Sequence, residues 1–160
     1  MVDKLTGLLT WRYWEERATQ ALERAGTRAT ALLLVDLDGV TLINDPATEE
    51  AVLATASVLR ETLRATDLAG RYGHGGDGFL VLLPARDRQL GELVARRIRA
   101  RIRRAINLPA SIGVAVNDPS TARVRTLPEL VHQADAALLS ARTRGGDQIV
   151  VAGAGVRLAG

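Results

Sequence analysis

Apolar residues recur along this chain at two spacings, one typical of amphipathic helices and the other of buried strands. Helical spacing marks four segments, at about 10–24, 45–64, 90–106 and 126–141. Short apolar runs predict five strands, at about 29–37, 68–72, 79–83, 110–116 and 148–152. The sequence Thr126-Leu127-Pro128-Glu129 resembles a capping box, which would open the last helix.

The order of these elements predicts the fold class. Helix, strand, helix, β-hairpin, helix, strand, helix and strand follow one another without an obvious linker or repeat. This order favours an α/β (α+β) sandwich, in which helices cover a mostly antiparallel central sheet. We expect a single domain over residues 1–152 and a flexible tail over 153–160.

Composition narrows the classes of function. The chain has 160 residues, a formal net charge of +3, no cysteine and 3% aromatic residues. Without cysteine there are no disulfides or thiolate metal sites, and the cytoplasm is the expected compartment. No apolar run approaches the ~20 residues that cross a bilayer. The low net charge and few aromatic rings predict no nucleic-acid partner.

The stretch from Arg71 to Phe79 carries the densest candidate chemistry. It places four glycines, His74 and the carboxylate of Asp77 between two predicted strands. Glycines allow a ligand to approach backbone N–H groups closely, as phosphate-binding loops require. We interpret His74 as a turn residue. Taken alone, this pattern predicts only a β-hairpin turn.

Six short segments in a fixed order connect this turn to a known family. With them, the chain resembles the GGDEF domain of diguanylate cyclases over nearly its whole length. That family condenses two GTP into cyclic di-GMP at the interface of two domains, and its fold is similar to the palm of nucleotide cyclases and polymerases. The matching segments are Asp3 to Leu8, Val35 to Asp38, Leu42 to Asp45, Arg71 to Pro84, Ser111 to Ala115 and Ala134 to Leu138.

The resemblance implies a magnesium site. It assigns metal binding to the carboxylates of Asp36 and Asp77 and to the backbone carbonyl of Leu37. Mg²⁺ prefers such hard oxygen ligands and would bridge the triphosphate of GTP. Asp77 also occupies the position that the family needs for turnover. Without the resemblance, Asp36 would be an acid solvated at a strand end.

The substrate site departs from the family in two segments. Asn44 matches the residue that binds guanine in the family. Counting back from Leu53 predicts that three residues of the family pattern are deleted after it, so that Glu50 stands nearest to the second guanine-reading acid. The signature turn is two residues longer than usual, and either Gly73-His74 or Gly75-Gly76 takes the phosphate-cradling place. Gly78 replaces the fourth acid of the signature.

The phosphate contacts are also reduced. Arg142 keeps a cation where the family has a phosphate-binding lysine, whereas Gly146 replaces a second phosphate-binding arginine. Losing single electrostatic contacts of this kind can lower a rate ~10²–10³-fold. We therefore predict a degenerate, inactive cyclase with at most weak binding of Mg²⁺ and GTP. The alternative is a slow, active cyclase in which Asp38 or Glu50 replaces the missing acid.

A second nucleotide site is suggested by Arg64 and Asp67. Their Arg-x-x-Asp spacing and their distance to the glycine-rich turn match the family's product-inhibition site. Arginine can bind guanine or phosphate bidentately, and aspartate can accept hydrogen bonds from the guanine edge. Arg97 or Arg99 from the following helix could complete the site, and the sequence does not choose between them. A solvated helix end explains the same motif.

These features predict a regulatory domain that binds cyclic di-GMP or a partner protein. A third alternative is an interaction domain with no nucleotide ligand. The chain begins almost at the family's first motif, which fits a protein that depends on a partner or forms a homodimer, or a domain cut from a longer protein.

Overall fold

A computed structural model describes residues 1–39, 46–72 and 78–153 of the chain. Its elements follow the predicted order. The four helices are α1 (Trp11–Ala25), α2 (Pro46–Thr62), α3 (Arg88–Ile106) and α4 (Leu127–Thr143). The five strands are β1 (Thr30–Leu37), β2 (Leu68–Tyr72), β3 (Gly78–Pro84), β4 (Ala110–Asn117) and β5 (Ile149–Val151).

The strands form one mixed sheet in the order β2-β3-β1-β4-β5. β1 lies in the centre and pairs antiparallel with both β3 and β4, while β5 pairs parallel with β4. All eight residues of β1 are buried, which explains why its sequence is a continuous apolar run rather than an alternating one. Because β1 is the middle strand, its carboxyl end lies between the neighbouring ends of β3 and β4.

Helices cover both faces of this sheet. The buried residues of α2 and α3 pack with Leu33, Val35 and Phe79 on one face, and those of α1 and α4 pack with Leu32 and Leu80 on the other. The alternation of Leu32 and Leu33 between the two faces follows from the two-residue period of a strand. The observed α+β architecture confirms the predicted fold class.

Gly113 sets how closely α4 approaches the sheet. A Cβ on this residue would lie 2.1 Å from the carbonyl oxygen of Ala134 and 2.5 Å from the nitrogen of Leu138, both in the backbone of α4. Only glycine permits such an approach. The close contact brings the end of α4, with Arg142, over the carboxyl end of β1.

The hairpin prediction is confirmed in its pairing and corrected at one residue. β2 pairs antiparallel with β3, and Tyr72 lies opposite Gly78. The sequence predicts Gly78 in the turn, but it is the first residue of β3. The predicted capping box is present, because Thr126 and Glu129 each accept a hydrogen bond from the other's backbone N–H. The rest of the signature turn and nearly all of the predicted tail lie outside the described residues.

Candidate functional site

Two acidic residues, Asp36 and Asp38, lie at the carboxyl end of β1, and the guanidinium group of Arg142 contacts both carboxylates. The carboxylate of Asp36 forms an ion pair with Nη2 of Arg142, and Nε of Arg142 lies 3.9 Å from Oδ1 of Asp38. Arg142 is 42% exposed, whereas the side chains of Asp36 and Asp38 are mostly buried. The cation that the resemblance assigned to phosphate thus contacts the carboxylate that it assigned to metal.

The second acid, Asp38, is fixed by hydrogen bonds. The hydroxyl of Ser111 donates to Oδ1 and Oδ2 at 2.9 and 3.0 Å, and the backbone N–H of Asp147 donates to Oδ2 at 2.8 Å. Sequence reasoning gave Ser111 no role. The strand register could have indicated such a role, because Ser111 lies directly opposite Asp36 in the pairing of β1 with β4. A slow, active cyclase would need Asp38 as a replacement metal ligand, but its carboxylate oxygens already accept these hydrogen bonds.

Asp147 connects this site to α3. Its carboxylate accepts from Nη1 of Arg99 at 3.0 Å and from Nη2 of Arg103 at 3.1 Å, and its backbone carbonyl accepts from Arg99 at 2.9 Å. Three carboxylates and three guanidinium groups thus form one chain of contacts at this end of the sheet: Asp36, Asp38, Asp147, Arg99, Arg103 and Arg142. The formal charges of this group cancel.

Gly78 occupies the position of the fourth signature acid. It lies directly opposite Asp36 in the pairing of β1 with β3, so a side chain there would stand about 4.5–5.5 Å from that of Asp36, Cβ to Cβ. A Cβ on Gly78 would meet its nearest atom, the carbonyl oxygen of Tyr72, at 3.4 Å. The backbone therefore leaves room for a Cβ at this position, and the sequence supplies no carboxylate there.

Gly146, at the position of the missing arginine, leaves less room for a side chain than Gly78 does. Its φ is +75°, and a Cβ there would lie 3.1 Å from Oδ2 of Asp38. A non-glycine residue would be strained in this conformation. The same carboxylate that accepts from Ser111 therefore closes the space that a larger residue would need at 146.

The remaining substrate-site predictions fall largely outside the described residues. Asn44, Gly75, Gly76 and Asp77 are among the residues that the structure does not describe. Glu50 is exposed in the first turns of α2. Within the described ranges 1–39, 46–72 and 78–153, no three acidic or histidine side chains cluster as metal ligands.

Asp67 lies at the other candidate site, between α2 and β2. Its side chain is fully buried, and its Oδ2 accepts a hydrogen bond from the backbone N–H of Arg64 at 2.8 Å. Nη2 of Arg64 lies 3.7 Å from Oδ1, and Nη2 of Arg86 lies 3.7 Å from Oδ2. This carboxylate thus closes the turn after α2 and lies against two guanidinium groups.

Arg86, which lies 3.7 Å from this carboxylate, has a lowered pKa. Burial lowers the pKa of Arg86, the carboxylate of Asp67 raises it, and the positive charges of Arg64 and Arg97 lower it further. Arg97 is thus close enough to act on Arg86, whereas Arg99 contacts Asp147 instead. We call Arg64, Arg86 and Arg97 the arginine cluster. Sequence reasoning missed Arg86, which follows β3 through Ala85 in a left-handed conformation.

A cleft runs beside the arginine cluster. Its volume is about 500 Å³, and Arg64 and Asp67 both contribute to its wall. Arg17 and Arg60 add two more guanidinium groups, and leucines from α2, β2 and the N-terminal segment supply its apolar lining. Oδ1 of Asp67 accepts no hydrogen bond from the residues that the structure describes. The cleft can therefore offer several cations to a ligand, while the carboxylate of Asp67 lies buried behind them.

Comparison with known proteins gives consistent matches. The sequence model of the family described as "Diguanylate cyclase, GGDEF domain" matches residues 1–148. The probable diguanylate cyclase DgcC of Escherichia coli K12 is 29% identical over 163 residues, which cover 94% of this chain and 43% of DgcC. The chain thus spans less than half the length of that relative.

Solved structures give the same result for the fold. Diguanylate cyclase SiaD of Pseudomonas aeruginosa, solved in complex with its activator SiaC, has a TM-score of 0.82 and 32% identity, covering 94% of this chain and 61% of SiaD. The GGDEF domain of DgcB from Caulobacter crescentus, solved in complex with c-di-GMP, has a TM-score of 0.83 and 22% identity, covering 95% of this chain and 93% of that one.

Proposed function

Because the chain belongs to the GGDEF family of diguanylate cyclases, we propose that it is a regulatory domain that binds cyclic di-GMP and does not synthesise it at an appreciable rate. One observation carries this proposal. The guanidinium groups of Arg64 and Arg86 lie 3.7 Å from the buried carboxylate of Asp67, and the positive charge of Arg97 acts on Arg86. The acids at the end of β1, in contrast, already form ion pairs with Arg142.

The charge of the arginine cluster suits the ligand. Arg64, Arg86 and Arg97 exceed Asp67 by two positive charges, and cyclic di-GMP carries two phosphodiester charges. Guanidinium groups can bind phosphate oxygens or the O6 and N7 atoms of guanine bidentately. Arg64 is 51% exposed, so it can reach a ligand in the cleft. DgcB, solved with c-di-GMP, provides a precedent on the same fold.

The other end of the sheet supports the absence of synthesis. Mg²⁺ and the triphosphate of GTP need unpaired carboxylates and cations, respectively. Arg142 pairs with Asp36, and Asp38 accepts from Ser111 and Asp147. Gly78 adds no carboxylate opposite Asp36. We therefore propose at most weak binding of Mg²⁺ and GTP.

Calorimetric titration tests the binding part of this proposal. We expect micromolar affinity of the wild-type protein for cyclic di-GMP, with binding at least ten-fold weaker in Arg64→Ala and Arg97→Ala. Each good bidentate contact is worth about 1–3 kcal/mol. Arg104→Ala is the matched control, because it removes the same charge from the exposed side of α3. Equal affinity of Arg64→Ala and the wild type, or no heat from either, would contradict the proposal.

An activity assay tests the other part. We expect negligible cyclic di-GMP from GTP with Mg²⁺ or Mn²⁺ at micromolar protein. Robust product formation that disappears in Asp77→Ala would instead identify an active cyclase with a variant site.

A protein-binding role is the second candidate. It is favoured by the likeness to SiaD, which was solved with its activator SiaC. If cyclic di-GMP does not bind, this role becomes the better explanation of a folded domain with a charge-neutral cyclase site.

A further inference from the structure

An aromatic slot lies on the α1 and α4 side of the sheet, away from the arginine cluster. The indole of Trp11 stacks on that of Trp14 at a centroid distance of 5.9 Å, and the ring of Tyr72 meets Trp11 edge-on at 5.1 Å. Trp14 is fully buried and its Nε1 donates to the carbonyl oxygen of Leu68 at 3.0 Å. Trp11 is 37% exposed. A rigid core residue thus supports an aromatic surface that solvent can reach.

Two carboxylates and an apolar wall complete the slot. Glu15 from α1 and Asp135 from α4 line the same cavity of about 280 Å³, and the start of α4 supplies Leu127, Pro128, Val131 and His132. Burial raises the pKa of Tyr72, and the negative charge of Asp135 raises it further, which places that carboxylate near the phenol. Among the residues described by the structure, neither Glu15 nor Asp135 forms an ion pair with a basic side chain.

The chemistry of this slot selects a cation with hydrogen-bond donors. The faces of Trp and Tyr rings attract cations, and carboxylates at the rim strengthen that preference. A planar guanidinium can stack on a ring while it donates to carboxylates, which a quaternary ammonium cannot do. The apolar wall of Leu127 and Val131 can contact the methylene stem of such a side chain. Pockets for drug-sized molecules usually measure about 300–1,000 Å³, so this volume suits one side chain better than a nucleotide.

We propose that the slot formed by Trp11, Glu15, Tyr72 and Asp135 binds an arginine side chain of a partner polypeptide. This inference is independent of cyclic di-GMP binding, because the slot and the cleft share no lining residue. Tyr72 is the last residue of β2 and directly precedes the glycine-rich signature segment 73–77. A partner docked in the slot would therefore contact the strand that leads into the signature.

The test is a titration of the 160-residue protein with a short peptide, acetyl-Gly-Gly-Arg-Gly-Gly-amide. Peptides with Lys or Gln in place of Arg are the comparison ligands. Trp11 and Trp14 are the only tryptophans, so intrinsic fluorescence reports on the slot. We expect a saturable change with the Arg peptide, weaker binding of the Lys peptide and none of the Gln peptide.

Two variants locate the binding. Trp11→Ala removes the exposed ring. The double variant Glu15→Gln with Asp135→Asn removes both charges of the slot and leaves its rings in place. We expect this double variant to bind the Arg peptide at least five-fold more weakly than the wild type does. Since Trp11→Ala alters the fluorescence, peptide binding to it and to the double variant is also followed by amide NMR. Glu16→Gln with Glu23→Gln is the matched control, because it removes the same charge from exposed positions of α1 outside the slot.

Three outcomes would each overturn the proposal. They are equal responses to the Arg and Gln peptides, equal affinity for the Arg and Lys peptides, and wild-type affinity of the double variant Glu15→Gln with Asp135→Asn.

Discussion

The two ends of this domain use the same side chains in opposite proportions. At the carboxyl end of β1, three carboxylates meet three guanidinium groups, and the charges cancel. Beside α2, one carboxylate meets the guanidinium groups of Arg64 and Arg86, Arg97 lies near Arg86, and two positive charges remain. An anionic ligand can bind the second region without breaking an existing ion pair. A metal or a triphosphate at the first region must displace Arg142 or compete with Ser111.

This comparison teaches that the presence of family residues does not define a site. Asp36 and Arg142 are both at the positions that the resemblance assigns to binding, yet they contact each other. Asp67 is also present, yet it is buried beneath arginines rather than exposed to a ligand. In both places, the balance of charge among neighbouring side chains decides which ligand the site can accept.

Removing the buried carboxylate should have the largest effect on stability. Asp67→Ala leaves the N–H of Arg64 without its acceptor and the cluster without its counter-charge. We expect the free energy of unfolding to fall by about 3 kcal/mol, in the range for breaking a buried pair. Chemical denaturation measures this. Asp67→Asn, which keeps an acceptor oxygen, should lose less, and an equal loss would show that charge alone matters here.

Removing Arg142 should make the first region more like a metal site. Arg142→Ala leaves Asp36 and Asp38 without the cation that contacts them. We expect Mn²⁺ to bind about five-fold more tightly, which corresponds to about 1 kcal/mol of removed repulsion near the surface. Calorimetry with Mn²⁺ measures this, and Arg144→Ala at the exposed end of α4 is the control. Unchanged affinity would contradict the idea that Arg142 blocks the acids.

The exposed ion pair of Arg123 and Glu129 should have the smallest effect on stability, and it serves as a baseline for the two regions. Hydrogen bonds from Arg123 and from the backbone of Thr126 lower the pKa of Glu129 to about 2. A lowered carboxyl pKa contributes stability above the unfolded value of 4.5, and that contribution is lost as the pH falls towards about 2. Glu129→Gln should therefore be slightly less stable than the wild type at pH 7, and this difference should shrink as the pH falls from about 4.5 towards about 2. Both proteins are compared by denaturation at each pH. A difference in stability that stays constant from pH 7 to pH 2 would mean that charge is not involved.

The fold could be predicted because its signals are local. The period of the apolar residues marked every element, the capping box marked the start of α4, and the glycines near residue 145 marked its end. The predicted boundaries differ from the observed ones by at most two residues. At Gly78 the difference arose because a glycine at the start of a strand has the composition of a turn.

The site could be predicted only in part because its contacts are not local. The pairing of Asp36 with Arg142 and the burial of Asp67 beneath Arg86 join residues that are distant in the sequence. A resemblance supplies positions, but not the conformations of long arginine side chains. The choice between Arg97 and Arg99 likewise required the structure, since both lie on α3 and only their neighbours distinguish them.

The most direct test of the central claim is to observe the arginine side chains while cyclic di-GMP is added. Nε–H signals of arginines, assigned by single substitutions, can be followed by NMR in the wild-type protein. We predict saturable shifts for Arg64, Arg86 and Arg97, and unchanged signals for Arg99 and Arg142. Shifts confined to Arg99 and Arg142, with the arginine cluster unchanged, would place the ligand at the carboxyl end of β1 and contradict the account.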